Sequence, residues 1–497
     1  MSDKWQSPAS AKQTEDPSPE HNSPEHNKMR LLGLDFGSTT SSMMLAEVHI
    51  GRHSLNGRMG FSEPTILQQT TPVFTPFDGK TLDQQAMASL LDQWLQDADW
   101  NPSQQAAGAA LITGLAARAD NAHALSQAIR QRIGNSLIAV ADDPGLESWL
   151  AFMGSCATLS RAHPQRAVIN MDIGGGTTNP AKGVNGQVTD CGCFYIGARH
   201  LMFQPGTYQL TACSHFGSLL LQYLRIHKSP GQTLTDANIH ALVTFCVTAL
   251  ESIAMGDMSF FQRSPFHQRL MQMPFSHDME RGTHPLISFS GGVGELIYRY
   301  RHGFDWPTRT LYGDLGIDLA KAIVASPVLS ADLSHPPEHA GRATVMGLTL
   351  HSSDVSGSSL YLSDPGLLPL NDLPIIARLS AGASPADWQR AVTLAKGSRQ
   401  GACIGIENSH DLTASDIKQL GQTLGFVLNG TEYPLDQPLV LLLDTNLGKT
   451  LGQYITDWGK QPRSLFVIDE IPVRDARFVQ IGRSHQHIVP VSFFGMN

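Results

Sequence analysis

Met171-Asp172-Ile173-Gly174-Gly175-Gly176-Thr177-Thr178-Asn179 follows directly from an apolar run, Ala167-Val168-Ile169-Asn170-Met171, that reads as a short buried strand ending in an aspartate. Glycines let the backbone turn with positive φ and approach a ligand without Cβ obstruction. Successive N–H groups exposed in such a turn form a concavity for phosphate oxygens. A carboxylate beside phosphate meets it best through a hydrated Mg²⁺. Three glycines are also an ordinary turn, so the reading depends on what accompanies them.

Leu31-Leu32-Gly33-Leu34-Asp35-Phe36-Gly37-Ser38-Thr39-Thr40-Ser41-Ser42 repeats the order of apolar strand, aspartate, glycine and hydroxyl cluster. A third strand runs into glycines at Leu286-Ile287-Ser288-Phe289-Ser290-Gly291-Gly292-Val293-Gly294-Glu295, as a glycine-rich turn with a helix start behind it. This triplet resembles the phosphate-1, phosphate-2 and adenosine motifs of the actin, sugar-kinase and DnaK-type chaperone superfamily. The resemblance implies an α/β, actin-like ATPase fold of two ribonuclease-H-like halves that clamp ATP and Mg²⁺. It places Asp35 and Asp172 at the metal. Gly37, Ser38, Thr39 and Thr40, with Gly174, Gly175, Gly176, Thr177 and Thr178, then stand at the phosphates, and Gly291, Gly292 and Gly294 at the adenosine.

A chain of 497 residues exceeds one ordinary core, so two to four domains are expected. The formal net charge of −9 argues against a nucleic-acid binder and against a basic membrane-surface protein. No apolar run reads as spanning length, and the amino terminus lacks the basic-then-apolar pattern of a signal peptide. Six cysteines without repeated spacing point to a reducing cytoplasm. Cys191-Gly192-Cys193 reads as two small residues on a strand rather than a zinc site.

Residues 1–28, with Ser-Pro-Glu-His-Asn twice in succession, have the composition of a disordered tail. The first half is expected over 29–165, the second over 166–355, and a further α/β domain over 356–497. Met43 to Val48 reads as the second strand of a hairpin, 86–98 as a helix, 109–114 as a strand, 121–133 as a helix and 136–141 as a strand. A turn at Asp142-Asp143-Pro144-Gly145 opens another helix. In the superfamily that is the first hinge helix, and Glu147 near its start is a candidate for orienting the attacking water. The plainer alternative is an acid in a first helical turn, where the macrodipole favours it. Asn185-Gly186 marks a hairpin turn, although Pro180, without a ladder donor, weakens the pairing expected there. Arg199 and His200 read as surface polar residues beside a turn. Helices are expected at 235–255 and 313–325, and a second hinge helix opens at Arg342. After Leu367, helix and strand alternate as in a smaller parallel sheet. Leu443-Asp444-Thr445-Asn446-Leu447-Gly448-Lys449-Thr450 is similar to a P-loop but has leucine where the first glycine belongs.

Taken in order, these stretches and Val467-Ile468-Asp469-Glu470 resemble the ethanolamine ammonia-lyase reactivating factor family from Met29 onward. That resemblance implies chaperone work with ethanolamine ammonia-lyase as protein client. The adenosylcobalamin belongs to the client; ATP and Mg²⁺ drive release of damaged cobalamin so that intact cofactor rebinds. It also implies a cytoplasmic protein, with an ethanolamine-utilisation microcompartment as its setting. The competing readings are an actin-fold small-molecule kinase, for which no catalytic aspartate stands out between the halves, and an ATP-dependent assembly protein.

Overall fold

The computed structural model describes residues 28–37, 40–52, 57–78, 81–101, 106–113, 121–133, 143–275, 284–472, 474–484 and 487–496. The expected tail apart from Lys28, the expected strand at 136–141, and Ser38 and Thr39 lie outside them.

One strand plan is used twice. In the first half, β1 (Lys28–Phe36) pairs antiparallel with β2 (Thr40–Arg52), which pairs in turn with β3 (Met59–Gln69). Helix α1 (Gln84–Asp97), capped by the Asp83 side chain, leads to β4 (Ala106–Ile112), parallel to β1. Leu31 to Leu34 are all buried, as a strand covered on both faces must be. Trp94 and Leu91 of α1, with Ile129 of α2 (Ala122–Ile133), close over Leu34 and Phe36.

Helix α3 (Pro144–Ser155) leads into the second half, made of β5 (Val168–Ile173), β6 (Thr178–Val184), β7 (Gln187–Cys191) and β8 (Cys193–Phe194). Helix α4 (Asp236–Ala254), β9 (Met271–Met273) and β10 (Leu286–Ser290) follow. Here too the central strand β5 is antiparallel to its hairpin partner β6 and parallel to the later β10. Asn185 and Gly186 both take positive φ, as the two-residue turn between β6 and β7 requires. Pro180 does not break this ladder. Its carbonyl accepts from the Gly192 N–H at 2.9 Å, and N and O of one strand residue point the same way. The missing donor therefore faces the break between β7 and β8, while Met171 and Pro180 stay in register.

Helix α4 corrects the expectation that no segment reaches spanning length. Its 19 residues are long and apolar enough to cross a membrane. In this fold Ile239 and Leu242 enter one core cluster and Phe245, Leu250 and Ile253 another. Helices α5 (Gly291–Arg301), α6 (Gly316–Ala325) and α7 (Ala343–His351) complete the half.

The hinge helices are exchanged. By sequence α3 belongs with the first half and α7 with the second, as boundaries at 165 and 355 imply. Yet α3 packs on β5, β6 and β7, where Gly183 leaves room for the Phe152 ring. Helix α7 packs on β1 and β2, where Gly33 admits Thr349 and Met44 meets Val345 and Met346. Gly154 and Gly347 bring the two helices into backbone contact. A Cβ on Gly154 would meet the Ala343 carbonyl and the Gly347 nitrogen, and one on Gly347 would meet Leu150. This cleft between twin halves, bridged by crossed helices, is the actin-like ATPase plan.

The remaining chain forms β11 (Ser353–Val355), β12 (Tyr361–Leu362), β13 (Leu370–Ser380), α8 (Pro385–Lys396), β14 (Ala402–Glu407), α9 (Ala414–Gly430) and β15 (Leu439–Leu443). After α10 (Gly448–Ile455) come β16 (Leu465–Ile468), β17 (Ala476–Ile481) and β18 (Pro490–Met496). The strand order is β11-β18-β17-β13-β14-β15-β16-β12. Only β13 to β16 are mutually parallel, so the expected parallel sheet is the centre of a mixed one. At the P-loop-like turn the Asp469 carboxylate accepts from the Gly448 N–H at 3.0 Å, putting a protein anion where a phosphate loop would hold its ligand.

This sheet is fastened on two sides. Glu470 accepts from Arg52 and from the Met59 N–H, each at 3.0 Å. On α3, Asp143 accepts from Leu146 N–H with one oxygen and from Gly495 N–H with the other. The Arg474 guanidinium, paired with Asp354 at 2.8 Å, lies 4.6 Å over the Trp149 ring.

Candidate functional site

The described residues at the ends of both strand-to-hairpin connections match. Register pairs Phe36 with Ser41 and Ile173 with Thr178, the same sequence separation in each half. Gly37 N–H donates to the Thr40 carbonyl at 3.0 Å, and Gly174 N–H to the Thr177 carbonyl at 2.9 Å. Asp35 and Asp172 occupy matching positions, each two residues before its turn.

These turns face one chamber of about 90 Å³, whose lining includes Asp35, Gly37, Thr40, Glu147, Asp172, Gly174, Gly175, Gly176, Thr177, Gly291 and Gly292. Thr40, Pro72, Gly174, Gly175 and Gly292 also line an adjoining chamber of about 310 Å³, walled by Phe74, Leu296, Arg299 and Tyr312. The sequence-predicted residues that the structure describes thus converge, with two exceptions, on a small polar chamber that opens into a larger one. Two are placed elsewhere. Thr178 is buried and donates to the Ile196 carbonyl at 2.6 Å. Gly294 faces Phe289, where a Cβ would come within 2.8 Å of the backbone, so it seats α5 on β10. The expected glycine turn is itself the first turn of α5. Gly291, at φ 76°, lies against Ile173, and a Cβ there would come within 2.6 Å of its carbonyl.

Three helices start at the small chamber. Glu147 of α3, Gly291 and Gly292 of α5, and Ala343 and Thr344 of α7 all line it from first turns. The starts of α5 and α7 carry no side-chain cap, and their N–H groups and partial positive charge suit a polyanion, whereas on α3 Asp143 already takes the Leu146 and Glu147 N–H groups. The two aspartates bring the opposite sign. Asp35 Oδ1 is shut off from solvent and has no hydrogen-bond partner among the described residues. Burial, and next the neighbouring Asp172 charge, push the Asp35 acid up from 3.8 to about 7. Burial pushes Asp172 up to about 6, against the pull of a hydrogen bond from Ser290. An orphan carboxylate oxygen beside a second carboxylate fits a hydrated dication, whose charge reverses the penalty on both.

Sequence reasoning did not find the relay behind Asp172. Asn170 Nδ2 donates to Ser290 Oγ at 2.8 Å, and Ser290 Oγ–H donates to Asp172 Oδ1 at 2.6 Å. Asn170 and Ser290 are fully buried, so the relay fixes the carboxylate from behind. Nor did it find the shelf under the second turn. Ala198 and Arg199 N–H donate to the Gly174 and Gly175 carbonyls at 3.0 and 2.7 Å. His200, expected at the surface, is buried with Nδ1 2.8 Å from Ser214 Oγ, and burial lowers its pKa to about 4. Arg199 spans the cleft, its guanidinium 5.3 Å from the Phe74 ring of the first half.

The family model described as ethanolamine utilisation protein EutA matches residues 27–493. The chain belongs to this family. Among its relatives is the ethanolamine ammonia-lyase reactivase EutA of Escherichia coli K12, 28% identical over 461 residues, covering 91% of this chain and 94% of that one. The reactivase EutA of Salmonella typhimurium LT2 is 28% identical over 460 residues, with the same coverage. A solved Ppx/GppA-family structure from Aquifex aeolicus is 15% identical, covering 65% of this chain and 88% of its own, with a TM-score of 0.33. The turns, the aspartates and the three helix starts of this EutA-family chain all lie within the matched span.

Proposed function

We propose that this chain is an ATP-dependent reactivating chaperone for adenosylcobalamin-dependent ethanolamine ammonia-lyase. It releases damaged cobalamin from that client so that intact cofactor rebinds. The observation that carries the reading is the pairing of Asp35 and Asp172 in one chamber between matched phosphate turns, in a chain of the EutA family. Asp35 and Asp172 would hold Mg²⁺ through its waters, and the ion would supply charge neutralisation at the phosphates. The N–H groups of the two turns bind phosphate oxygens, and the starts of α5 and α7 add donors. Glu147 orients water at the chamber wall. Such a site asks for positioning and charge stabilisation rather than covalent chemistry. Phosphate contacts hold the halves together across α3 and α7, and their loss on hydrolysis lets the halves part. The cytoplasm, with an ethanolamine-utilisation microcompartment as setting, belongs to the same proposal; six cysteines outside any disulfide suit a reducing compartment.

The test follows release of inactive cobalamin from a blocked lyase with ATP, comparing the parent chain with Asp35→Asn and Asp172→Asn. Each amide keeps the shape and removes the charge. Release and ATP hydrolysis should each fall about ten-fold or more, the effect of losing ~1.4 kcal/mol at the transition state. Parent-rate release by both variants would refute the proposal.

A further inference from the structure

The larger chamber has a feature that phosphate binding leaves unused. Among its described lining residues, Asp314 is the buried charged side chain, with 6% of its surface exposed; Glu295 and Arg299 on α5 are exposed. One Asp314 oxygen accepts from the Gly316 N–H at 2.9 Å, and the other makes no hydrogen bond among the described residues. The loop that carries it is held firmly. Leu315 N–H donates to the Ala198 carbonyl at 3.0 Å, and Phe203 N–H to the Gly313 carbonyl at 2.9 Å. Ala198 in turn donates to Gly174 of the second phosphate turn, so Asp314 sits on a rigid backbone path from that turn. Gly313 at φ 71° and the Cβ-free Gly316, which has Asp314 Oδ1 3.0 Å from its missing Cβ, shape the bend. Aromatic walls stand on the same chamber in Phe74 and Tyr312.

Resting on the nucleotide reading above, we infer that Asp314 selects the nucleoside, accepting a hydrogen bond from a donor group that the triphosphate tail does not carry. An ionised carboxylate only accepts hydrogen bonds. It therefore favours the 6-amino group of adenine over the 6-oxo group of hypoxanthine or guanine, or else a ribose hydroxyl over its deoxy counterpart. Burial pushes the Asp314 acid up to about 6, opposed by the Gly316 N–H and then Arg199, so above neutrality it is an acceptor. Once the bound nucleoside shields this oxygen, an acceptor left facing an oxo group or a missing hydroxyl is penalised more than one that stays in water.

The experiment measures Mg²⁺-dependent binding of ATP, ITP, 2′-deoxy-ATP and inorganic triphosphate by titration calorimetry, for the full chain and for Asp314→Asn. The parent should prefer ATP to either ITP or 2′-deoxy-ATP by about ten-fold or more. Asp314→Asn should cut that preference at least five-fold while leaving triphosphate affinity unchanged, which also shows that the variant is folded. Loss confined to the ITP arm assigns the contact to the base, and loss confined to the deoxy arm assigns it to the sugar; both support the inference. ATP binding by the variant with both ratios at parent values overturns it and leaves the nucleotide reading standing. A parent that binds neither ATP nor triphosphate overturns both.

Discussion

Replacing Ser290 with alanine removes a single oxygen, on a strand that touches no phosphate turn residue in sequence, and should disable the metal end of the site. Ser290 Oγ–H reaches Asp172 Oδ1 at 2.6 Å and is itself held by Asn170 Nδ2. A hydrogen bond to a charged group contributes about 1.5–3 kcal/mol, and an abandoned buried donor costs about 1–3 kcal/mol more. Asn170 Nδ2 loses its Ser290 acceptor, on a side chain whose Oδ1 already lacks a partner among the described residues. Because the Ser290 hydroxyl is what restrains the upward shift of Asp172, the variant holds its proton more tightly and presents less charge to a cation. Mg²⁺-ATP affinity at pH 7.5 should fall ten- to a hundred-fold, equivalent to about 1.4–2.8 kcal/mol. Isothermal titration at several Mg²⁺ concentrations reads this directly. Ser288→Ala, whose hydroxyl faces Tyr298 instead, is the control and should bind as the parent does. Binding by Ser290→Ala within two-fold of the parent would refute the claim that this relay sets the Asp172 carboxylate.

The acids themselves give a pH test. Both folded values lie above the ordinary 3.8, so the pair adds stability that is complete below about pH 4 and lost as pH rises through 6 to 7. Protein free of metal and nucleotide should therefore melt lower at pH 7.5 than at pH 5.5 by more than Asp35→Asn does. The stabilisation given by Mg²⁺-ATP should grow over the same interval, because the ion competes with protons; a pH-independent Mg²⁺ effect would count against it. Gly154→Ala should cost about 1–3 kcal/mol in denaturant unfolding, since the new Cβ meets backbone rather than a side chain that can turn away. Gly430→Ala on α9, with open space around it, should be neutral or slightly stabilising, and equal costs at the two sites would show that the α3–α7 crossing has slack.

Much of the site was legible because its parts are local. A strand, an aspartate and a glycine-hydroxyl turn are contiguous, so Asp35 and Asp172 could be matched by eye; Phe36 pairs with Ser41 and Ile173 with Thr178 in the same register. The helix start at Pro144 was legible for the same reason, with Asp143 capping it. What failed to show was non-local. Ser290 reaches Asp172 across 118 residues, and nothing in Leu286-Ile287-Ser288-Phe289-Ser290 marks one serine as different. His200 was misjudged by residue type, because burial of a histidine depends on Ser214 and the shelf beneath the turn. Thr178 and Gly294 sit inside the right motifs but point toward strand and helix packing, a distinction of one residue that spacing does not carry. The mixed sheet was missed where β11 pairs with β18 and β13 with β17, antiparallel partners that lie far apart along the chain.

The exchange of hinge helices bears on how the protein is made. Residues reach the ribosome exit in order, so β1, β2 and β4 emerge long before α7, which is the element that covers Met44 and, with α3, Leu111. Until Ala343–His351 has been synthesised, the first sheet carries an uncovered apolar face and a groove at Gly33 with nothing in it. Such a surface is prone to wrong association during synthesis. The amino-terminal half is thus not a folding unit in its own right. A chain that stops before α7 should be recovered in aggregates, whereas one that stops after His351 has both covering helices and every strand of the two sheets that flank the cleft.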